Sequence, residues 1–390
     1  MQIPRILIAP GPYKECLTSF EVAEAMKLGV QEVIPDAYTI IRPLSDGGSG
    51  IAKILTEASG GYLKNITVKG PLGDPVSACF GFLGDGETAV VESAQAVGLS
   101  LIPKEKRNPL YTSTFGVGQL ISEAIREGAR KIIVGCGDSG TNDCGIGCAA
   151  ALGVKFYYDK NKLPLTFPTG SDLERITHFD YEDAAKKLAN IEITVACNLT
   201  SILCGPEGTS RIYGPQKGAN PDQVEILHNG VYRYVDLIYK SNRSDLSFVP
   251  GAGAAGGLAA SLYAFFQARL LYSIDVVDKY VHLDKYLSEA NLVLTGEGQI
   301  DDRTATGKVA CGIALKAKKY GLPVIAIVGS IANDHEDIFY NGIDAVECIA
   351  EGPILLEESM AKASALITNA TMRVMRFMFK IPKITKGSEE

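Results

Sequence analysis

Carboxylates and lysines gather in glycine-rich stretches that each follow a predicted strand. Residues 296–308 read GEGQIDDRTATGK and come directly after the apolar segment 291–295. Such a segment is typical of a buried parallel strand, and ligands of α/β proteins bind at the carboxyl ends of parallel strands. A helix predicted over 304–320 would present its free N–H groups to an anion there. The stretch predicts a ligand site, with a tight turn carrying solvated acids as the alternative.

Four further loops combine glycines with charged or polar side chains, and they lie at 10–16, 43–50, 135–147 and 213–219. A fifth glycine-rich loop at 251–257 contains only glycine and alanine. Five glycines in 135–147 exceed what a helix cap needs, and backbone N–H groups in such a run can form an anion nest. Asp143 in that run either holds Mg²⁺ or caps a helix that starts at Gly145. The glycines of 251–257 form either a phosphate nest or a close helix contact.

Charged side chains in these loops have ordinary alternatives as well. Lys14 and Asp46 each follow a predicted strand, so we expect both at one edge of the sheet. A solvated loop lysine is the alternative for Lys14, and a turn or cap residue is the alternative for Asp46. Lys217 is less readily explained as a solvated lysine because glycine and proline lie close to it in the sequence.

Motifs of other common chemistries are missing from the chain. It has no Walker A motif, no G-x-G-x-x-G with an acid on the next strand, and no G-x-S-x-G elbow. Its four histidines lie outside every glycine cluster, which argues against histidine base catalysis. Lysines with glycine nests bind phosphate, while carboxylates hold Mg²⁺ or deprotonate a hydroxyl, so the set suits phosphoryl transfer. That set comprises Lys14, Lys217, Lys308, Asp46, Asp143, Glu297 and Asp301.

The predicted elements indicate one α/β sheet interrupted by an insertion. Strands at 5–9 and 38–42 flank a helix that a Thr18–Glu21 capping box starts, which predicts a parallel strand pair. Antiparallel strands follow from about residue 62, and parallel alternation returns after about residue 285. We therefore predict one domain from 1–70 plus 285–390, with 71–284 inserted into it.

Composition narrows the class of protein. The 390 residues carry a net charge of −7, which gives no basis for nucleic-acid binding. No apolar run approaches the roughly 20 residues that cross a bilayer, and the amino-terminal stretch lacks the layout of a signal peptide. Nine cysteines without a C-x-x-C pair indicate reduced, buried thiols. These features predict a cytoplasmic protein.

Between residue 5 and about 330 the chain contains, in this order, the segments IAPGPYKECLT, PLSDGGSG, GDSGTNDCGIG, YGPQKGA, PGAGAAGG and TGEGQIDDRTATGK. With these segments the sequence resembles the bacterial type I glycerate kinase family. It implies transfer of the ATP γ-phosphoryl group to D-glycerate, with Mg²⁺, in a cleft between two α/β domains. One is expected to be a Rossmann/flavodoxin-like parallel-sheet domain, and the other an inserted mixed-sheet domain. The implied partners are a small hydroxy acid and a nucleotide, and a homo-oligomer is left open.

The resemblance also implies roles for individual residues. Expected catalytic residues are Asp46, Lys14 and Asp301, where either Asp46 or Asp301 acts as base or metal ligand. Expected nucleotide-binding residues are Gly137, Ser139, Thr141, Asn142, Asp143, Gly251, Gly253, Gly256 and Lys308. Expected substrate-binding residues are Lys217, Glu297, Gly47 and Gly48. The expected metal ligands are Asp143 and Asp301.

Several loop positions depart from the family pattern. Gly11, Ser49 and Asn198 stand where the family usually has acids, and Asp138 stands where it usually has glycine. These changes support two alternatives to a glycerate kinase. One is a family member with impaired catalysis and a binding or regulatory role. The other is a kinase for a different small hydroxy acid.

Overall fold

The computed structural model describes residues 3–242, 244–301, 304, 309–332 and 336–380. Its strands are β1 (Arg5–Ile8), β2 (Tyr38–Ile41), β3 (Tyr62–Lys69), β4 (Pro75–Phe82), β5 (Thr88–Glu92), β6 (Lys131–Gly135), β7 (Lys155–Tyr157), β8 (His178–Asp180), β9 (Glu192–Cys197), β10 (Arg269–Tyr272), β11 (Leu292–Ile300), β12 (Val324–Ile331) and β13 (Ala345–Cys348). Its helices are α1 (Ser19–Val33), α2 (Ile51–Ser59), α3 (Ser93–Val97), α4 (Phe115–Arg126), α5 (Ile146–Ala151), α6 (Glu182–Leu188), α7 (Thr209–Tyr213), α8 (Pro221–Asn242), α9 (Ala254–Phe266), α10 (Ser273–Val281), α11 (Leu283–Leu287), α12 (Val309–Lys318), α13 (Asp337–Tyr340), α14 (Leu356–Ala361) and α15 (Ala363–Phe379).

The chain forms two compact units. Unit 1 contains residues 1–44 and 282–390, and unit 2 contains residues 45–281. Unit 1 is therefore discontinuous in sequence, and unit 2 is inserted into it. Among the helices of the described ranges, none is long and apolar enough to span a membrane.

Unit 1 is built on a five-stranded parallel sheet in the order β13-β12-β11-β1-β2. Counted within this unit alone, the strand order is 2-1-3-4-5, which is the flavodoxin-like order. The order reverses between β1 and β11, where Ile8 lies opposite Leu294. Ligands of such sheets bind outside the carboxyl ends of the strands at this reversal. The return of the chain to the first sheet, predicted from the sequence, is confirmed.

Unit 2 is built on a six-stranded mixed sheet in the order β10-β9-β6-β5-β4-β3. The strands from β10 to β5 are parallel to one another, and β4 and β3 join in antiparallel fashion. One continuous apolar core lies under this sheet, with Phe80, Val134 and Leu258 among its fully buried members. The predicted fold class, a parallel-sheet α/β part with an inserted mixed-sheet part, is confirmed.

The sequence prediction and the compact units place the boundary at different residues. The prediction assigned residues 1–70 to the domain of the first sheet, whereas the first segment of unit 1 ends at residue 44. The difference arises because β3 pairs with β4 along its whole length and α2 packs on β3, β4 and β5. At the second boundary the chain returns at residue 282, close to the predicted 285. That the two units are separate domains stays a prediction.

Local signals explain α1 well. Thr18 Oγ1 accepts a hydrogen bond from the Glu21 N–H at 3.3 Å, and the Glu21 carboxylate accepts one from the Thr18 N–H at 2.8 Å. This is the predicted capping box, in which two otherwise unpaired N–H groups are satisfied. The helix buries Val22, Met26 and Val30 against the sheet of unit 1.

Strand β11 is longer than the sequence predicts. The glycines at 296 and 298 indicate a turn after residue 295, yet β11 continues to Ile300. It does so because β12 extends alongside it, with Gln299 opposite Ser330. The sequence predicts a helix over 304–320. Helix α12 is described from Val309 to Lys318, and residues 305–308 of the predicted helix lie outside the described residues.

Candidate functional site

The reversal of strand order in unit 1 brings Lys14 beside the end of β11. After β1, the Gly11 N–H donates to the Gly296 carbonyl at 2.9 Å, which ties the following loop to β11. A tight turn then closes with a hydrogen bond from the Tyr13 N–H to the Leu17 carbonyl at 2.9 Å, and Lys14 is exposed on this turn. A solvent-accessible ammonium at this edge can meet an anionic ligand.

Tyr13 anchors the same loop. Its side chain is buried, and its hydroxyl donates to the Ile327 carbonyl of β12 at 2.8 Å. Burial raises the pKa of the Tyr13 hydroxyl well above its ordinary value, and the charges of Cys348 and Glu297 add to the rise. Tyr13 is therefore a neutral donor that fixes the position of Lys14.

Glu297 lies on β11 and Asp301 directly follows its last residue, at the edge that also carries Lys14. Gly298, which follows Glu297, lies next to the loop, since a Cβ built there would be in ordinary van der Waals contact, 3.6 Å from the Lys14 N. Glu297 is half-buried, whereas Asp301 is buried. The Asp301 carboxylate accepts hydrogen bonds from the Thr304 N–H at 3.1 Å and from the Thr304 hydroxyl at 3.2 Å.

In unit 2, the loop of residues 45–50 lies at the carboxyl ends of β9 and β10. Gly47 has a φ of +92°, and a Cβ on it would lie 2.5 Å from the Ala196 carbonyl oxygen, so only glycine fits. The Ser273 hydroxyl donates to the Asp46 carbonyl at 2.8 Å. The half-buried Asp46 side chain accepts from the Gly48 N–H at 3.0 Å. We call residues 45–50 the Asp46 loop.

Two further carboxylates contact the Asp46 loop from other parts of unit 2. Asp138 Oδ2 accepts a hydrogen bond from the Ser49 N–H at 2.9 Å. Glu92 at the end of β5 accepts from the Gly50 N–H at 3.0 Å and from the Ala52 N–H at 3.2 Å. Burial raises the pKa of Glu92 to about 7, the backbone donors oppose this rise, and the charge of Asp138 adds to it.

The polar residues that follow Asp138 are interior. Thr141, Asn142 and Asp143 are all 0% exposed. The Asn142 amide donates to the Ser210 hydroxyl at 3.0 Å, while its buried Oδ1 has no hydrogen-bond partner among the described residues. The same is true of the Thr141 hydroxyl within the described part of the chain. These side chains therefore lie in the protein interior and do not face an open anion nest.

Asp143 holds two helix starts together. Its Oδ2 accepts from the Thr114 N–H and hydroxyl, both at 2.8 Å, and from the Gly147 N–H at 3.2 Å. Its Oδ1 accepts from the Gly145 N–H at 3.0 Å. Burial raises the pKa of Asp143, and the four donors oppose that shift. The contacts favour the capping role, which the sequence left open beside metal binding.

Lys217 is a buried lysine on a single 3₁₀ turn. Its Nζ donates to the Thr141 carbonyl at 2.7 Å and to the Ser139 hydroxyl at 3.2 Å. Only 3% of its surface is exposed, so the alternative of a solvated loop lysine does not hold. Burial lowers the pKa of Lys217 to about 8, and the charge of Asp143 opposes this shift.

The glycine run at 251–257 serves backbone packing. A Cβ on Gly256 would lie 2.0 Å from the Thr141 carbonyl oxygen, and a Cβ on Gly257 would lie 2.7 Å from the Cys144 Cα. The Gly256 carbonyl accepts from the Cys144 N–H at 3.0 Å. Gly251 and Gly253 are buried as well. The close-packing alternative of the sequence accounts for these contacts.

The predicted site residues therefore fall into three groups. Lys14, Glu297 and Asp301 lie at one edge of unit 1. Asp46, Gly47, Gly48 and Gly137 meet at the Asp46 loop of unit 2, where a Cβ on Gly137 would lie 2.5 Å from the Gly48 Cα. Ser139, Thr141, Asn142, Asp143, Lys217, Gly251, Gly253 and Gly256 form a buried group in unit 2. Lys308 lies outside the described residues.

Sequence reasoning missed Glu92. Its partners are Gly50 and Ala52, 42 and 40 residues away along the chain, so no short motif signals the contact. The one available signal is an acid at the end of the apolar strand β5, where a buried charge requires partners.

The arrangement defines a class of protein. It is an α/β protein with an inserted unit. Lys14, Glu297 and Asp301 lie at the carboxyl ends of strands in unit 1, and Asp46 and Glu92 lie at those of unit 2. In the described ranges no group of three or more His, Cys, Asp or Glu side chains is arranged to hold a metal ion. Charged side chains at such positions are typical of α/β enzymes that bind small anionic ligands, phosphoryl-transfer enzymes among them.

Comparison with known proteins makes the assignment specific. The sequence profile of the glycerate kinase family matches residues 6–379. A glycerate kinase of Bacillus subtilis (strain 168) is 40% identical over 383 residues, which cover 97% of this chain and 100% of that protein. A glycerate 2-kinase of Escherichia coli (strain K12) is 42% identical over 370 residues, covering 95% and 97%. The chain belongs to the glycerate kinase family.

A solved structure supports the same conclusion at the level of the fold. It is a crystal structure from Salmonella typhimurium LT2, solved under the provisional name glycerate kinase 2. Its TM-score to this chain is 0.77 at 39% sequence identity, and the match covers 97% of this chain and 98% of that one. The similarity therefore extends through both units.

Proposed function

We propose that this protein phosphorylates D-glycerate with ATP and Mg²⁺. The observation that carries the proposal is the similarity, along nearly the full length of both chains, to proteins named glycerate kinase. The Escherichia coli relative is named a glycerate 2-kinase, so we assign 2-phosphoglycerate as the product. Kinases of this family act on a small molecule and a nucleotide, and the exposed Lys14 at the strand-order reversal of unit 1 supports binding of such an anionic reactant.

Lys14 is proposed to bind an anionic group of the reactants. It is exposed, while Tyr13 beside it is buried and hydrogen-bonded to β12. The ammonium therefore extends from a fixed backbone, which lowers the entropy lost when it contacts a carboxylate or phosphate. Its place at the strand-order reversal of unit 1 supports this role.

Asp46 is proposed as the general base. In the reaction, the glycerate hydroxyl oxygen forms a bond to the γ-phosphorus, the bond to the ADP oxygen breaks, and the hydroxyl proton passes to a carboxylate. Asp46 is half-buried, and the Gly48 N–H fixes one of its oxygens. These features keep it accessible and oriented, as a general base requires.

Asp301 is the proposed protein ligand of Mg²⁺. Mg²⁺ commonly binds one or two carboxylates together with substrate phosphates, so a single well-placed acid is a sufficient protein contribution. The ion would neutralise phosphate charge. Asp301 fits because Thr304 holds its carboxylate at the end of β11. We do not include Asp143, since both of its oxygens accept hydrogen bonds from protein donors.

For the nucleotide, we propose that Gly137 makes the contact and that the buried residues support it. Gly137 is half-buried, whereas Thr141, Asn142 and Asp143 are wholly interior. The buried Lys217 holds this loop in place through its hydrogen bonds to Ser139 and Thr141. On this account Lys217, expected from the sequence to bind substrate, acts by holding the loop in place.

The proposal is tested by following glycerate-dependent ADP release with Mg-ATP. Product analysis by ³¹P NMR then distinguishes phosphorylation at the 2-hydroxyl from phosphorylation at the 3-hydroxyl. Turnover of other sugar acids but not of glycerate would show that the protein is a kinase with a different substrate. Absence of turnover with any hydroxy acid would favour the regulatory alternative.

The cellular setting is also a proposal. All nine cysteines lie within the described ranges and none of them forms a disulfide bond. Five of those in unit 2 are buried: Cys136, Cys144, Cys148, Cys197 and Cys204. Buried thiols without disulfides suit a reducing compartment, so we propose the cytoplasm. Size-exclusion chromatography with light scattering would decide whether the chain forms a homo-oligomer.

A further inference from the structure

We propose that Asp138 is a positioning residue that holds the Asp46 loop in its active arrangement. The inference rests on the proposed function, because the loop carries the proposed base. The contact between Asp138 and the Asp46 loop can also be measured without turnover.

The start of α2 depends on side chains from other parts of unit 2. Its N-cap residue is Gly50, which has a φ of +94° and offers no capping side chain. Instead, Asp138 accepts from the Ser49 N–H, and Glu92 accepts from the Gly50 and Ala52 N–H groups. Carboxylates at a helix N-terminus satisfy free N–H groups and interact favourably with the helix dipole. The two acids together replace a local cap.

Backbone contacts make this arrangement tight. A Cβ built on Gly48 would lie 2.4 Å from Asp138 Oδ2 and 3.0 Å from Asp46 Oδ1. A Cβ on Gly137 would lie 2.5 Å from the Gly48 Cα. The Asp46 loop and residues 137–138 are therefore in direct contact, and neither can shift alone.

The backbone of Asp138 indicates a specific requirement for its side chain. Its φ is +54°, in the left-handed region that is unfavourable for residues other than glycine and is tolerated best by Asn and Asp. The Leu99 N–H donates to the Asp138 carbonyl at 2.8 Å, which fixes this conformation. The side chain then reaches Ser49, one residue after the Gly48 N–H that orients Asp46. Loss of the Ser49 bond would therefore displace the Asp46 carboxylate.

Three substitutions separate positioning from stability. Asp138→Asn keeps an acceptor for Ser49 and tolerates the left-handed backbone, so kcat should stay within about threefold of wild type. Asp138→Ala and Asp138→Gly both remove the acceptor, and kcat should fall about 10- to 100-fold, as expected for a misplaced catalytic group. The glycine variant should be at least as stable as the alanine variant, because glycine relieves the backbone strain. KM for glycerate should change little.

Gln267→Gly is the matched control. Gln267 has a φ of +56° and is exposed at the end of α9, so the change relieves the same kind of strain away from the Asp46 loop. Its kcat should equal that of wild type. If Asp138→Gly instead raised kcat or lowered the KM for ATP, Asp138 would be an obstacle to nucleotide binding, and the positioning role would be rejected.

Amide hydrogen exchange tests the contact independently of the reaction. The Ser49 amide should be protected in wild type and in Asp138→Asn, and it should exchange at least about tenfold faster in Asp138→Gly. Equal exchange in all three proteins would overturn the proposal. If wild type turned over no hydroxy acid, the proposed function would fail, and the exchange result would still decide whether Asp138 holds the loop.

Discussion

Two carboxylates of unit 2 that look alike in the sequence have opposite surroundings. Asp143 is 0% exposed and accepts hydrogen bonds from four donors, whereas Asp46 is half-buried at the end of the sheet. Burial with full hydrogen bonding indicates a structural acid, and partial exposure at the end of a sheet indicates an acid that can meet a substrate. The difference leads to a prediction at each residue.

Asp143→Ala should destabilise the protein, and Asp46→Asn should not. The first change leaves the donors on Thr114, Gly145 and Gly147 unsatisfied, so the free energy of unfolding should fall by about 3 kcal/mol or more. The second keeps an acceptor for the Gly48 N–H, so stability should stay within about 0.5 kcal/mol while kcat falls at least about 100-fold. Urea unfolding and steady-state kinetics on both variants test this. A stable, inactive Asp143→Ala would contradict the structural role.

Lys217 should make stability depend on pH in the alkaline range. Its folded-state pKa of about 8 lies below the unfolded value of 10.5. Between these values the unfolded chain binds more protons, so the free energy of unfolding should rise with pH from about 8 to about 10.5. The stabilisation is lost as the pH falls through about 8, where the buried amine becomes charged.

Lys217→Met should remove that rise. The difference between the two pKa values corresponds to a total rise in the free energy of unfolding of about 3 kcal/mol. Lys162→Met is the control, because Lys162 is exposed and its replacement should leave the pH dependence of wild type. Urea titrations at pH 7.5 and pH 10 on the three proteins provide the measurement. Identical pH dependence in wild type and Lys217→Met would show that the amine is not desolvated in the folded state.

At the scale of elements, sequence prediction succeeds where the signal is local. The Thr18–Glu21 capping box and the apolar spacing of Val22, Met26 and Val30 define α1 correctly, since each contact spans at most a few residues. It fails for β11, because pairing with β12 overrides the turn tendency of Gly296 and Gly298. The burial of residues 141–143 also depends on tertiary contacts, here with the 251–257 loop.

Gly296 and Gly298 should differ sharply in their tolerance of a side chain. A Cβ at Gly296 would lie 2.0 Å from the Ile327 carbonyl oxygen of β12, so Gly296→Ala should cost about 1–3 kcal/mol of stability. At Gly298 the nearest atom would be 3.5 Å away, and Gly298→Ala should leave stability within about 0.5 kcal/mol. Thermal unfolding of both variants tests whether the β11–β12 pairing continues past Leu294. Equal destabilisation would argue against it.

On the scale of the whole molecule, unit 2 has the features of an independently folding insertion. The described members of the apolar core under its sheet all lie within residues 45–281. Near its two ends, the Ser273 hydroxyl bonds to the Asp46 carbonyl and α10 packs on α2, so the chain enters and leaves at neighbouring points. Such an insertion needs little distortion of the host unit.

Residues 45–281 expressed alone should therefore fold. We expect cooperative urea unfolding and a folded circular dichroism spectrum, with no turnover of glycerate because Lys14 and Asp301 are missing. Wild-type protein measured in parallel is the reference. A fragment that shows no cooperative transition would mean that the compact unit is not a domain.

The sequence shows the inserted arrangement but not its first boundary. The return to parallel alternation near 285 is visible in the pattern, and β11 joins the same sheet as β1, as predicted. Residues 45–70 carry ordinary helix and strand patterns, so only the pairing of β3 with β4 reveals that they belong to unit 2. The same holds for the candidate site. Its loops can be identified in the sequence from their glycines and acids, whereas the exposure of each side chain cannot.

The central claim is that this member of the glycerate kinase family is an active glycerate kinase. The most direct measurement is ADP release by purified protein with Mg-ATP, with and without D-glycerate, followed by ³¹P NMR of the product. We predict glycerate-dependent turnover on the order of 1 s⁻¹ or faster, an ordinary enzyme rate, with 2-phosphoglycerate formed. ADP release that does not depend on glycerate, or none at all, would contradict the claim.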